Sequence, residues 1–182
     1  MTKRIVLGSG KLYVVEAEAT DGVYTIPANS VIETAANQIG LIQGGATLEY
    51  TPEFYEAKDD LGLASKKYLT NETAILRSGV MTWNGETLAK LCSTATVDNS
   101  TQGKRIVKIG GINNFDNQQY IIRFVHEDAT DGDIRLTIVG SNESGFEMAF
   151  VKDAETVVNA EFSAVPNDAD GTLIIYEEEV SA

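Results

Sequence analysis

A single cysteine, Cys92, among 182 residues excludes an internal disulfide and any zinc cluster built on cysteines. Histidine is equally scarce. His126 is the only one, so an imidazole-based triad has one place to stand, and no nucleophile signature accompanies it. Basic residues number 14 against 27 acidic, a formal net charge of −13, which argues against a protein that grips nucleic acid through its phosphates. No apolar run approaches the roughly 18 residues of a membrane helix. The opening Met1–Gly10 is too short in apolar residues for a secretory signal, so the expectation is a chain made and folded in a cytoplasm.

What is present describes a globular protein. The length fits one domain over 1–182, enough to build a core without disulfides or metals. Sixteen glycines against three prolines predict many tight turns. The charge is unevenly placed: 1–126 holds 13 acidic and 12 basic side chains, whereas 127–182 holds 14 and 2, so the last third carries nearly all the excess. That is either a solvated acidic face or a functional surface of one sign.

Strand-type segments recur with turn signals between them. Ile5–Leu7 and Leu12–Val15 flank Gly8-Ser9-Gly10, and Val23–Ile26 follows Asp21-Gly22. Beyond Gly44-Gly45 the period of two is clear. Thr47, Glu49, Thr51 and Glu53 share one face, predicted wet; Leu48, Tyr50, Pro52 and Phe54 share the other, predicted buried. Pro52 has no N–H for a ladder, which puts this strand at an edge or at a bulge. Lys58–Gly62 reads as a reversal and Lys66–Ser78 as the second arm of a long hairpin. After a strand at Val80–Trp83, Glu86–Cys92 spaces Leu88, Leu91 and Cys92 as a short amphipathic helix, with Cys92 a small buried hydrophobe. Further strands are expected at Arg105–Ile109, Gln119–His126, Asp133–Val139, Phe146–Val151, Thr156–Val165 and Thr172–Tyr176. The fold class is mainly β: an antiparallel sandwich or barrel with one short flanking helix and a long hairpin.

Catalytic machinery does not assemble from these residues. His126 lies in an apolar strand and reads as a sheet residue. Gly140–Gly145 has the glycine spacing of a nucleotide loop but Phe146 and Glu147 where Lys and Ser/Thr are needed, and Gly8-Ser-Gly10-Lys11 lacks the upstream glycine. The acidic turns at Asp128/Asp131/Asp133 and Asp168/Asp170 miss the register of a calcium loop, and Asp and Gly are what tight turns use. No catalytic, cofactor or metal residue is therefore assigned, and the chain reads as a building block rather than an enzyme.

Three stretches carry a family likeness. Gln38-Ile-Gly-Leu-Ile-Gln-Gly-Gly-Ala-Thr-Leu-Glu-Tyr50 enters the hairpin, Ile75–Trp83 leads from it into the helix, and Thr156–Pro166 followed by Asp168–Tyr176 closes the chain. Their order over most of 40–176 resembles the tail tube proteins of long-tailed bacteriophages and related contractile particles. The resemblance implies a virion protein of the tail, assembled in the host bacterial cytoplasm, whose copies close six at a time into rings. The rings stack into a hollow tube through which DNA or an effector passes without specific binding. It further implies tape measure, baseplate or tail terminator proteins as partners, and no membrane insertion. Thr47, Glu49, Thr51 and Glu53, with Glu56 and Glu72, are the candidates to face the bore. Lys3, Arg4 and Lys11 at the start and Glu177, Glu178 and Glu179 at the end are the candidates for contacts between rings. A β-sandwich binding module for a carbohydrate or surface partner, or a decoration or sheath protein of the same particle, is the alternative. A module would cluster aromatics on one exposed face, whereas here the aromatics are expected in the core.

Overall fold

The computed structural model describes residues 5–180. Its elements in chain order are β1 (Lys11–Glu16), β2 (Ala19–Thr20), β3 (Val23–Tyr24), α1 (Asn29–Ile32), β4 (Gln38–Gly40), β5 (Ile42–Lys58) and β6 (Ser65–Val80). Then follow α2 (Gly85–Lys90), β7 (Ala95–Asp98), β8 (Ile106–Ile109), a 3₁₀ turn at Ile112–Asn114, β9 (Tyr120–His126), β10 (Ile134–Asn142), β11 (Val158–Ala164) and β12 (Ile175–Glu178). All pairings are antiparallel. The principal sheet runs β4-β1-β9-β10-β11-β6-β5, with β12 beside the first half of β10, while β2-β3 and β7-β8 are separate hairpins. This is the mainly β architecture expected from the pattern.

Alternation along the central strands divides the core in two. Leu12 and Val14 of β1, Ile122 and Phe124 of β9, Ile138 of β10 and Phe162 of β11 meet Leu76, Val80, Leu88 and Leu91 on one face. Tyr13, Ile121, Val125 and Val139 point the other way and are capped by Ile32 of α1. A strand covered on both faces reads as a continuous apolar run, which is why β9, Tyr-Ile-Ile-Arg-Phe-Val-His, shows no simple alternation. α2 begins at Asn84, whose side chain accepts from the N–H groups of Glu86 and Thr87 while Thr87 Oγ1 accepts from Asn84 N–H, a complete capping box.

Four expectations are corrected. Ile5–Leu7 has no strand partner. Phe146–Val151 is not a strand: Phe146 and Met148 pack on the core, but no ladder takes their backbone, and only an isolated bridge from Val151 to Ala154 forms. The extended run of β6 stops at Val80 instead of reaching Trp83, because Met81 N–H and Thr82 N–H turn to Leu41 O. Cys92 is half-buried, with Sγ 3.4 Å from Thr94 Oγ1.

Candidate assembly surface

β5 and β6 form a hairpin whose lower part belongs to the body and whose upper part does not. β11 covers the outer edge of β6 only from Ile75 to Val80, and β5 is an end strand over its whole length. Residues 50–72 therefore make a two-stranded arm with both edges open, and the eight residues Thr51–Lys58 alone extend it by about 25 Å. Pro52 lies in this end strand, the place in a sheet where a residue without an N–H is tolerated. Near the base, Gly44 and Gly45 form a bulge with φ of +79° and +74°, conformations that side chains with a Cβ resist, and Ser78 Oγ donates to Gly45 O there. At the tip the chain reverses over Asp59–Ala64, with Asp59 Oδ1 accepting from Ala64 N–H.

Burial on the arm departs from the sequence reading. Leu48 packs against the core, but Tyr50 is 49% and Phe54 54% exposed, because the buried residues end at Ala74 and only the segment 170–174 flanks that face, beside Tyr50 and Glu72. The opposite face carries Tyr55, and both faces end at Leu61 and Leu63 of the tip, 80% and 83% exposed. The arm aromatics are thus solvent-facing rather than core. Cross-strand partners keep the ribbon in order: Phe54 opposite Leu69, Tyr55 opposite Tyr68, with Lys67 Nζ over the Phe54 ring and Lys66 Nζ over the Tyr68 ring.

The pleat separates the residues grouped as bore-facing. Thr47, Glu49, Thr51 and Glu53 do share a face, opposite Arg77, Ile75, Thr73 and Asn71. Glu72 pairs with Pro52 and so stands on the other face, where Tyr50 Oη donates to it at 2.7 Å; Glu56 is on that face too, 3.2 Å from Lys58. Glu49 is also compensated: Arg77 Nη1 lies 2.5 Å from its carboxylate, and Arg77 Nε lies 2.6 Å from Glu161. Glu161 is the ladder partner of Arg77 and shares its face, so with Lys66 on the side of Glu53 this face sets three carboxylates against two cations, less acidic than the stripe that β5 alone displays.

Of the residues expected at contacts between rings, those described have partners within their own subunit. Lys3 and Arg4 lie outside the described residues. Lys11 pairs with Glu127 within the chain at 2.6 Å. Glu179 accepts from Arg135 Nη1 at 2.8 Å, and Glu177 lies 3.8 Å from the same nitrogen, directly across the ladder. Glu177 and Glu179 therefore both lie beside Arg135 of their own subunit. Arg135 holds the Glu179 carboxyl below the usual range, and hydrogen bonding to Glu33 raises the Arg135 guanidinium. Glu178, on alternate parity, accepts from Tyr176 Oη.

That Arg135 sits in a buried charge network which sequence reading missed. Its side chain is 8% exposed, with Nε 2.7 Å from Glu33 Oε1 and Nη2 3.1 Å from Asp133. Arg123, 3% exposed, donates to Thr137 Oγ1, to Asn29 Oδ1 and to Glu33 Oε1. One signal was visible: Arg135 is one of only two basic residues after 126, amid 14 acidic ones.

The remaining chemistry-bearing residues are engaged structurally. His126 is 6% exposed, with Nδ1 2.7 Å from Ser9 O. Asp168 Oδ1 accepts from the N–H groups of Asp170 and Thr172, and Asp128 Oδ1 from those of Thr130 and Asp131, so both carboxylates close their own turns. Among the described residues no cluster of three or more metal-ligating side chains occurs, and no helix is long and apolar enough to cross a membrane. No family model matches this chain, and comparison with curated proteins finds no match.

Proposed function

We propose that this chain is a structural subunit that polymerises through its hairpin arm, six copies to a ring, with rings stacking into the hollow tail tube of a phage or phage-like particle. The arm is the observation that supports the reading. A two-stranded ribbon is marginal alone in water, and open edges with exposed Phe54, Tyr55, Tyr68 and Leu69 are a template for another chain. Pairing the free edge of β5 in one copy with that of β6 in the next satisfies both sets of N–H and C=O groups. Repeated about a rotation axis, the contact closes and leaves no edge.

In this arrangement the Thr47–Glu53 face lines the bore. With Glu49, Glu53 and Glu161 against Arg77 and Lys66 it has no cationic excess, which suits a conduit, since such a wall releases no counterions on meeting phosphate and DNA slides past it. The carbohydrate-module reading fits the arm less well. A sugar platform uses aromatics on one face, whereas Phe54 and Tyr55 are on opposite faces of a narrow ribbon. Negative-stain microscopy of the purified protein at high concentration is the test. Rings or tubes with a central hole are expected; particles that stay single at every concentration would refute assembly as the function.

A further inference from the structure

We propose a second copy-to-copy contact, apart from the arm: the β7–β8 hairpin and its following turn in one subunit seat on the acidic loop 143–157 of another. The inference rests on the reading of the chain as a self-assembling subunit. Segment 95–115, the hairpin and its following turn, carries Lys104, Arg105 and Lys108 against the single acidic residue Asp98, in a chain whose net charge is −13. It also exposes apolar side chains that no element of its own subunit covers, Ile112 at 91% and Phe115 at 57%. The hairpin is fixed to the body, because Gly85 of α2 approaches the side chains of Val107 and Arg105 so closely that a Cβ there would lie 2.7 Å and 2.8 Å from them.

Loop 143–157 is its complement. It has four acidic residues against Lys152, and it exposes Phe150 at 75% and Val151 at 58%. Glu155 bonds Gln43, but Glu143, Glu147 and Asp153 have no hydrogen-bond or ion-pair partner among the described residues. This surface too is braced, by the Phe150 ring set edge-on to Trp83 at 6.3 Å and by Trp83 Nε1 donating to Thr156 O. Within one subunit the two patches do not pair: Arg105 goes to Glu86 and Lys108 to Asp98. Each is a charged rim around exposed apolar side chains, of opposite sign, which is the arrangement that selects a partner and its orientation.

The test is sedimentation velocity of the full chain over a concentration series, in low and high salt. Lys104→Glu with Lys108→Glu, or Glu147→Lys with Asp153→Lys, each puts like charges together and should raise the concentration needed for assembly by roughly tenfold or more. All four changes in one chain should recover most of that loss, and recovery also shows that the pairs of changes do not act by misfolding. Assembly of the wild type should weaken with salt. Pairs of changes that leave assembly untouched, or a combined variant that fails to recover, would overturn this contact while the arm reading stands. A wild-type chain that never associates would remove both.

Discussion

Cutting the arm back to its base should leave a folded body that cannot assemble. Thr51 and Thr73 face each other across the hairpin, so residues 52–72 can be replaced by Asn-Gly, the two-residue turn that matches strand twist. None of the buried core residues lies between Leu48 and Ala74, so the change removes almost no burial. Changes of this kind at exposed positions cost within about 0.5 kcal/mol, and for a chain of this size the thermal midpoint should move by less than about 4 °C. The expected micrographs show no rings or tubes at concentrations where the intact chain forms them. Rings that persist would mean the arm is a passive projection and the subunit contacts lie elsewhere. Loss of assembly together with loss of folding would contradict the placement of the core outside the arm.

The arm also shows where sequence reading works and where it stops. Its two strands, its reversal at Lys58–Gly62 and the edge position of Pro52 are local facts, and local rules found them. Whether Phe54 or Tyr68 is buried is not local. Alternation gives the face on which a side chain sits, while exposure depends on what is packed over that face, and here the buried residues of the hairpin end at Ala74. Adjacent apolar pairs, Phe54-Tyr55 and Tyr68-Leu69, were the available hint, since a strand apolar on both faces is either wholly inside or wholly outside. Glu72 and Glu56 were misgrouped for a related reason: the parity of Glu72 relative to β5 requires the register of the hairpin, and Glu56 breaks the odd-numbered series of Thr47–Glu53. β7 went unseen because four residues paired only with β8 carry too short a pattern to stand out. The charge network escaped because Glu33 is about 90 to 100 residues from both of its arginines.

Glu33 is the carboxylate on which that network turns, and its removal should damage the body about as much as truncating a buried core side chain. In Glu33→Ala, Arg135 loses the acceptor at 2.7 Å, and Arg123, 3% exposed, keeps only the neutral oxygens of Asn29 and Thr137. Breaking a buried ion pair by deleting one partner strands a charge and costs about 3–5 kcal/mol. For a chain of this length that lowers the thermal midpoint by roughly 6–20 °C, measurable by calorimetry or circular dichroism. Glu179→Ala removes a carboxylate whose side chain is 53% exposed and should cost far less, because water already screens it. Coupling between Glu33→Ala and Arg135→Ala in a double-mutant cycle should be on the order of 1–3 kcal/mol. Acid acts on the same network. The Glu179 carboxyl is held below its ordinary value of 4.5 by Arg135, so its stabilisation is fully present above that value and disappears as the pH falls through the lower folded value. A Glu33→Ala protein melting within a degree or two of the wild type would show that Asp133, Glu177 and Glu179 suffice to balance the buried arginines, and that Ile32 and Asn29 suffice to hold the short helix α1 to the sheet.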